Sequence, residues 1–145
     1  MQDYISAKGD LKVVLLDSNG KQKDLREINN LVVTVGKNHI ASRLAANTAV
    51  VMSHMAVGST NTSPVATQTA LGSELARVAL DSTSVTNATA TYTATFPAGT
   101  GTGTLTEAGI FNASSSGTML CRTQFNEVNK DTADTIVITW NVTVQ

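Results

Sequence analysis

From Ala88 to Phe96 the chain alternates without a fault. Ala88, Ala90, Tyr92, Ala94 and Phe96 share one parity, and Thr89, Thr91, Thr93 and Thr95 the other. A period of two is the side-chain period of a β-strand, and here it separates an apolar face from a hydroxyl face. The chain closes on the same pattern, with Ile136, Ile138, Trp140, Val142 and Val144 opposite Thr135, Thr139, Asn141 and Thr143. Tyr92, Phe96, Ile138 and Trp140 are therefore the expected large core residues, and Trp140 is read as a packing anchor.

The remaining segments fit the same architecture. Leu11 to Asp17 reads as a strand, and Asn19-Gly20 after it is a strong hairpin signal. A return strand is expected over Lys21 to Ile28, broken by Asn29-Asn30, then a β-branched strand from Leu31 to Val35 ended by Gly36. Residues 37–46 are the one expected helix, because Ile40, Ala41, Leu44 and Ala45 fall on a single helical face. Further strands are expected over 52–57, 77–80, 105–111 and 119–125, with polar loops at 58–64 and 126–134. About eight short strands with turn signals between them point to an antiparallel β-sandwich, jelly-roll-like, with one short helix.

At 145 residues the chain is expected to be one domain. Residues 1–10 lack a clean period and read as an N-terminal arm. Residues 11–145 then form the sandwich, with 11–30 as a charged hairpin lobe. Charge is unevenly spread. Ten charged residues lie in the first 30, but between Leu44 and Thr106 only Glu74, Arg77 and Asp81 are charged. The overall charged fraction is 14%, against about 25% in typical domains. A neutral, Thr-rich exterior of this kind suits burial against neighbouring subunits. The formal net charge of -1 gives no basic surface for nucleic acid. No 18-residue apolar run suggests a membrane span, and no secretory leader is visible, so synthesis in a cytoplasm is the default.

Motifs for chemistry are lacking. His39 and His54 have no second ligand at metal spacing, and the single Cys121 can form neither an internal disulfide nor a cysteine zinc cluster. Gly99 to Gly103 fits no phosphate-binding pattern. No catalytic residue, metal ligand or cofactor is assigned, and the chain is read as a non-enzyme. Glu74 and Arg77 stand nearly alone in a neutral stretch. As i, i+3 neighbours on a helical turn they could pair, or clamp this loop to another chain. Gly109 suggests a bulge or close backbone approach, so Glu107 is a candidate acceptor for backbone donors. Tyr4 and Ile5 sit on the arm, where they could fill a groove on a neighbour.

Several motifs taken together carry a resemblance: Asn30-Leu-Val-Val-Thr-Val-Gly-Lys37, His54-Met-Ala-Val-Gly58, Leu71-Gly-Ser-Glu-Leu-Ala-Arg77, Thr106-Glu-Ala-Gly-Ile-Phe-Asn112 and Gly117-Thr-Met-Leu-Cys-Arg122, with a closing strand near Trp140. In this order they resemble small virion proteins of tailed bacteriophages. The resemblance implies a structural protein of the virion. Its first form is a capsid cement or decoration protein, bridging subunits of the major capsid protein as a homotrimer. A tail or head fibre or adaptor component is the alternative. A carbohydrate-binding module would want exposed aromatics, and Tyr92 and Trp140 lie on expected core faces.

Overall fold

A computed structural model describes residues 4–46 and 49–145. The first three residues of the expected arm lie outside the described residues. The described chain contains β1 (Ala7–Leu16), β2 (Gln22–Val32), α1 (Thr34–Ala45), β3 (His54–Gly58), β4 (Glu74–Ala79), β5 (Ser82–Thr86), β6 (Thr89–Phe96), β7 (Gly103–Phe111), β8 (Met119–Lys130) and β9 (Thr135–Val144).

The strands form one nine-stranded antiparallel sheet in the order β4-β3-β7-β8-β2-β1-β9-β6-β5. The sheet curls into a half-barrel, so its two halves face each other like the layers of a sandwich, with one short helix at an end. The corner is β2. It pairs with β1 along almost its whole length but with β8 only at Leu31↔Arg122 and Val32↔Cys121. Where β2 and β8 part, the Arg26 guanidinium spans the gap, donating to the carbonyls of Asn126 at 3.3 Å and Glu127 at 2.9 Å. On the far side β4 returns against β6, and β5 is the edge strand beyond it, paired with β6.

Alternation builds the core. Leu11, Val13 and Leu15 of β1, Ala94 and Phe96 of β6, and Ile136, Ile138 and Trp140 of β9 point inward to meet Met55, Val57, Leu105, Ala108, Ile110 and Cys121. Trp140, Phe96 and Ile138 are fully buried as expected, while Tyr92 is half-buried at the rim of that core. Trp140 Nε1 donates to Asn30 Oδ1 at 3.1 Å, which satisfies the one polar atom the indole takes inside. The outward parity of the same strands pairs hydroxyls and amides across the ladder: Thr89 with Thr143 at 2.8 Å, and Thr91 with Asn141 at 2.8 Å. Cross-strand pairs of this kind account for the Thr-rich exterior within the fold itself.

Several boundaries differ from the sequence reading. β1 begins at Ala7 and pairs with β9 from Ala7↔Val144 onward, so Ala7 to Asp10 are strand and not arm. Residues 11–30 form no separate lobe. β1 and β2 sit mid-sheet. In β1 Lys8, Asp10 and Lys12 take the solvent parity and Leu11, Val13 and Leu15 the core parity, whereas in β2 Asp24 and Arg26 share the inward parity with Ile28 and Val32, opposite Leu15 and Val13. Asn29-Asn30 does not break β2, since the Asn30 side chain is taken up by Trp140. The helix starts at Thr34, and Gly36 lies inside it as its only buried residue. A Cβ at Gly36 would lie 2.0 Å from the Leu120 carbonyl oxygen, so glycine is what seats α1 against β8. β8 runs on to Lys130 through the segment expected to be loop.

Candidate functional site

The β3-β7-β8 half of the sheet is buried on both faces. Its inner face meets the core, and its outer face is covered by the loop of residues 59–73. A β-bulge makes this possible. Leu105 pairs with Val128 but Glu107 with Gln124, and the register shift between them turns Leu105 and Ala108, three positions apart, to the same core. Glu107 is thereby directed to the outer face, beneath the loop.

Five donors converge on its carboxylate. Ser73 N at 2.8 Å and Thr60 N at 3.3 Å donate to Oε1, and Gly72 N at 3.0 Å donates to Oε2. Arg122 donates to Oε2 through Nη2 at 2.8 Å and Nε at 3.1 Å, with both side chains fully buried. Arg122 Nη1 also reaches Gln68 Oε1 at 3.2 Å. Burial pushes the Glu107 carboxyl up, but the bonds from Ser73, Gly72, Arg122 and Thr60 outweigh it and hold it below the ordinary range. Gly58 belongs to the same construction, because a Cβ there would lie 2.4 Å from the Ser73 carbonyl oxygen. The expectation that Glu107 accepts backbone donors is met. Its cationic partner Arg122 lies on β8, and the register shift that joins the two carries no sequence signal.

Glu74 and Arg77 do pair, but on a strand. Val57 opposes Ala76 while Gly58 opposes Glu74, so Leu75 is the extra residue of a bulge, and positions three apart come to one side. The guanidinium takes Glu74 as a fork, at 2.7 and 3.1 Å. Its Nη1 donates to the carbonyls of Ala113 and Ser116, both at 2.9 Å, and its Cζ lies 3.8 Å from the centre of the Phe111 ring. The clamp thus ties β4 to the β7–β8 turn of its own chain, where a contact to another chain was the sharper expectation.

The open end of the half-barrel is different in character. A groove of about 400 Å³ runs between α1 and the β5-β6-β9 edge, lined by Ile40, Leu44, Val51, Val85, Ala90 and Val142 among others. Leu44 is 83% exposed, Val85 72% and Val51 57%. A second groove on the other side of α1 is lined by Ile5, Lys37, Ile40, Ala41, Leu44 and Val144. Tyr4 and Ile5 are each 82% exposed, so the expected arm residues stand at the margin of this end. Clustered exposure of large apolar side chains marks an interaction surface. His39 also lines the first groove. Burial pushes its imidazole down, and the Arg43 charge adds to that. Leu44 belongs to the helical face expected from the sequence, but of that face only Ile40 is half-buried, and Leu44, Ala41 and Ala45 are exposed; Val85 lies in no expected strand. Ser82–Thr86 is exposed on both parities and shows no alternation to find.

Among the described residues no three His, Cys, Asp or Glu side chains converge as a metal set, and no helix is long and apolar enough to cross a membrane. Cys121 is buried, and desolvation pushes its thiol well up, as for an inert core cysteine.

Fold and surface together describe a β-structural module whose most buried polar network fixes a loop and whose apolar end is left open. A family model described as phage tail-collar fibre protein, N-terminal, matches residues 26–144. The chain belongs to that family and is a structural protein of the phage virion. No curated protein and no solved structure matches it. The family is one of tail fibres, so it supports the alternative drawn from the sequence resemblance better than capsid cement, and it gives no support to the major capsid protein as partner.

Proposed function

We propose that this chain is a rigid, non-catalytic module of a phage tail fibre that holds the fibre to the particle. The observation that carries the reading is the tail-collar fibre match, which spans β2 to β9 and so covers most of the sheet and both clamps. The build of the molecule supports it. A fibre transmits force between its attachment point and its tip, and a module at that place must not deform. Glu107 locks the long loop to the sheet, Arg77 locks β4 to the β7–β8 turn, and β2 ties the two halves at the corner. The role is mechanical, with partners engaged through surface and not through substrate chemistry.

The test is a phage in which the segment encoding residues 26–144 is deleted. The reading expects particles with full heads of normal heat resistance that lack fibres and adsorb poorly to host cells. Fibred particles whose heads instead lose genome on mild heating would overturn it in favour of cement.

A further inference from the structure

The half-barrel is not closed evenly along its corner. β2 and β8 share a ladder only at Leu31↔Arg122 and Val32↔Cys121. Towards the start of β2, side chains stand in for the ladder. Thr123 Oγ1 donates to the Asn29 carbonyl at 3.0 Å, and Arg26 donates to the carbonyls of Asn126 and Glu127. Lys23 donates to Asp134 at 2.7 Å and to Asp131 at 3.3 Å, both in the β8–β9 turn. β8 is also loosely held on its other side. Leu105 pairs with Val128 and Glu107 with Gln124, so Phe125, Asn126 and Glu127 stand opposite Thr106 alone. The inner wall at this level is an ion pair, because Asp24 and Arg26 take the inward parity of β2 and bond each other. These side chains are wet: Lys23 is 35% exposed, Asp24 31% and Arg26 28%.

We propose that the half-barrel opens along this seam, swinging on the short ladder at Leu31 and Val32, and that Arg26 is the latch that keeps it shut. A boundary made of ladder bonds parts only when many backbone groups lose their partners together. At this seam the contacts are mostly charged side chains reaching carbonyls and carboxylates at the water's edge, where solvent offers replacement partners and salt screens the charge. Few ladder bonds and water-exposed contacts are the marks of a segment that opens locally while the rest stays folded. Arg26 carries the most. Its guanidinium takes Asp24 and the Leu25 carbonyl on its own strand, and gives its other donors to the two carbonyls in the irregular stretch of β8. Opening carries Phe125 and Val128, buried beside the seam, into water. It leaves the Glu107–Arg122 lock whole, because Thr60, Gly72, Ser73 and Arg122 all belong to the β3-β7-β8 half and its covering loop. The proposal goes beyond the fibre reading and does not rest on it.

A thiol placed at the seam reads the opening directly. Val128→Cys puts one there, and Cys121, at the pivot in the same core, is the internal comparison. The folded protein is exposed to a thiol reagent, and modification of each cysteine is followed by mass spectrometry. Position 128 is expected to react well before Cys121. Arg26→Met, which keeps an unbranched apolar stem, should speed position 128 about tenfold and leave Cys121 unchanged. Raising the salt to about 0.5 M should speed position 128 alone in the protein that retains Arg26. Equal rates at the two thiols, or acceleration of both alike by Arg26→Met, would show that the core opens only by unfolding as a whole, and overturns the seam. Should the Arg26→Met protein fail to fold, the salt comparison decides by itself: acceleration confined to position 128 supports the latch, and no acceleration overturns it.

Discussion

Glu107 shows how much a single side chain can organise in a charge-poor protein. Taking an ion pair out of water is costly, and the pair with Arg122 is repaid only because every acceptor site on the carboxylate is used. Glu107→Gln leaves Arg122 buried and uncompensated, which should cost about 3–5 kcal/mol in urea unfolding. The double change Glu107→Leu with Arg122→Met distinguishes an ion pair from a loop anchor. If the pair were the whole story, stability would return, as it does when apolar residues replace buried pairs elsewhere. Here the amides of Thr60, Gly72 and Ser73 lose their acceptor as well, so the double variant should stay clearly less stable than the parent. Full recovery would contradict the anchor.

The pH dependence of the same residue has a fixed sign. The folded carboxyl lies below its ordinary value, so its contribution is complete above the unfolded range of about 4.3 and is lost as pH falls through the lowered folded value. Asp134, lowered by its hydrogen bond from Lys23, acts in the same direction. Acid titration followed by hydrogen exchange should show stability constant from pH 7 down to about 5, then falling, with protection over residues 59–73 lost early. Stability that rose on acidification would reverse the assignment. Trp140→Ala, at the centre of the core, should cost about 3–5 kcal/mol by thermal or urea unfolding. An unchanged transition would show that the indole carries no packing load.

At the scale of elements, α1 is held by a close glycine contact, with Ile40 and Val35 packed beside it against the core. Its only buried residue is Gly36, and its large apolar side chain Leu44 faces out. Gly36→Ala would favour the helix intrinsically by about 1 kcal/mol, yet the added methyl meets the Leu120 carbonyl at 2.0 Å. A net loss of about 1–3 kcal/mol is expected from overpacking. A gain in melting temperature would mean that α1 is not seated on β8. The same contrast explains what the sequence made legible. β6 and β9 could be read because one face of each is buried and the other wet. Asn30 read as a breaker because its bond to Trp140 joins residues far apart in the chain. The Glu74–Arg77 and Glu107–Arg122 pairs depend on a bulge at Leu75 and on a register shift in the β7–β8 ladder, and such irregularities change parity without changing composition. Glu107 could be nominated as an acceptor, but its cationic partner required the β7–β8 register.

At the scale of the whole molecule, a stiff interior is joined to an apolar end. Buried networks and the β2 corner fix the half-barrel, and the apolar surface at α1 and β5 is where it can meet other proteins. The tail-collar fibre family places this arrangement in a virion structural protein, and the central claim is that it serves at the tail and not on the head shell. The most direct measurement is electron cryomicroscopy of intact particles in which antibody fragments against the folded domain mark its position. A tail-fibre module gives density at the tail, where fibres leave the particle, and none repeating over the capsid lattice. Regular labelling of the head surface, with an unmarked tail, would contradict it.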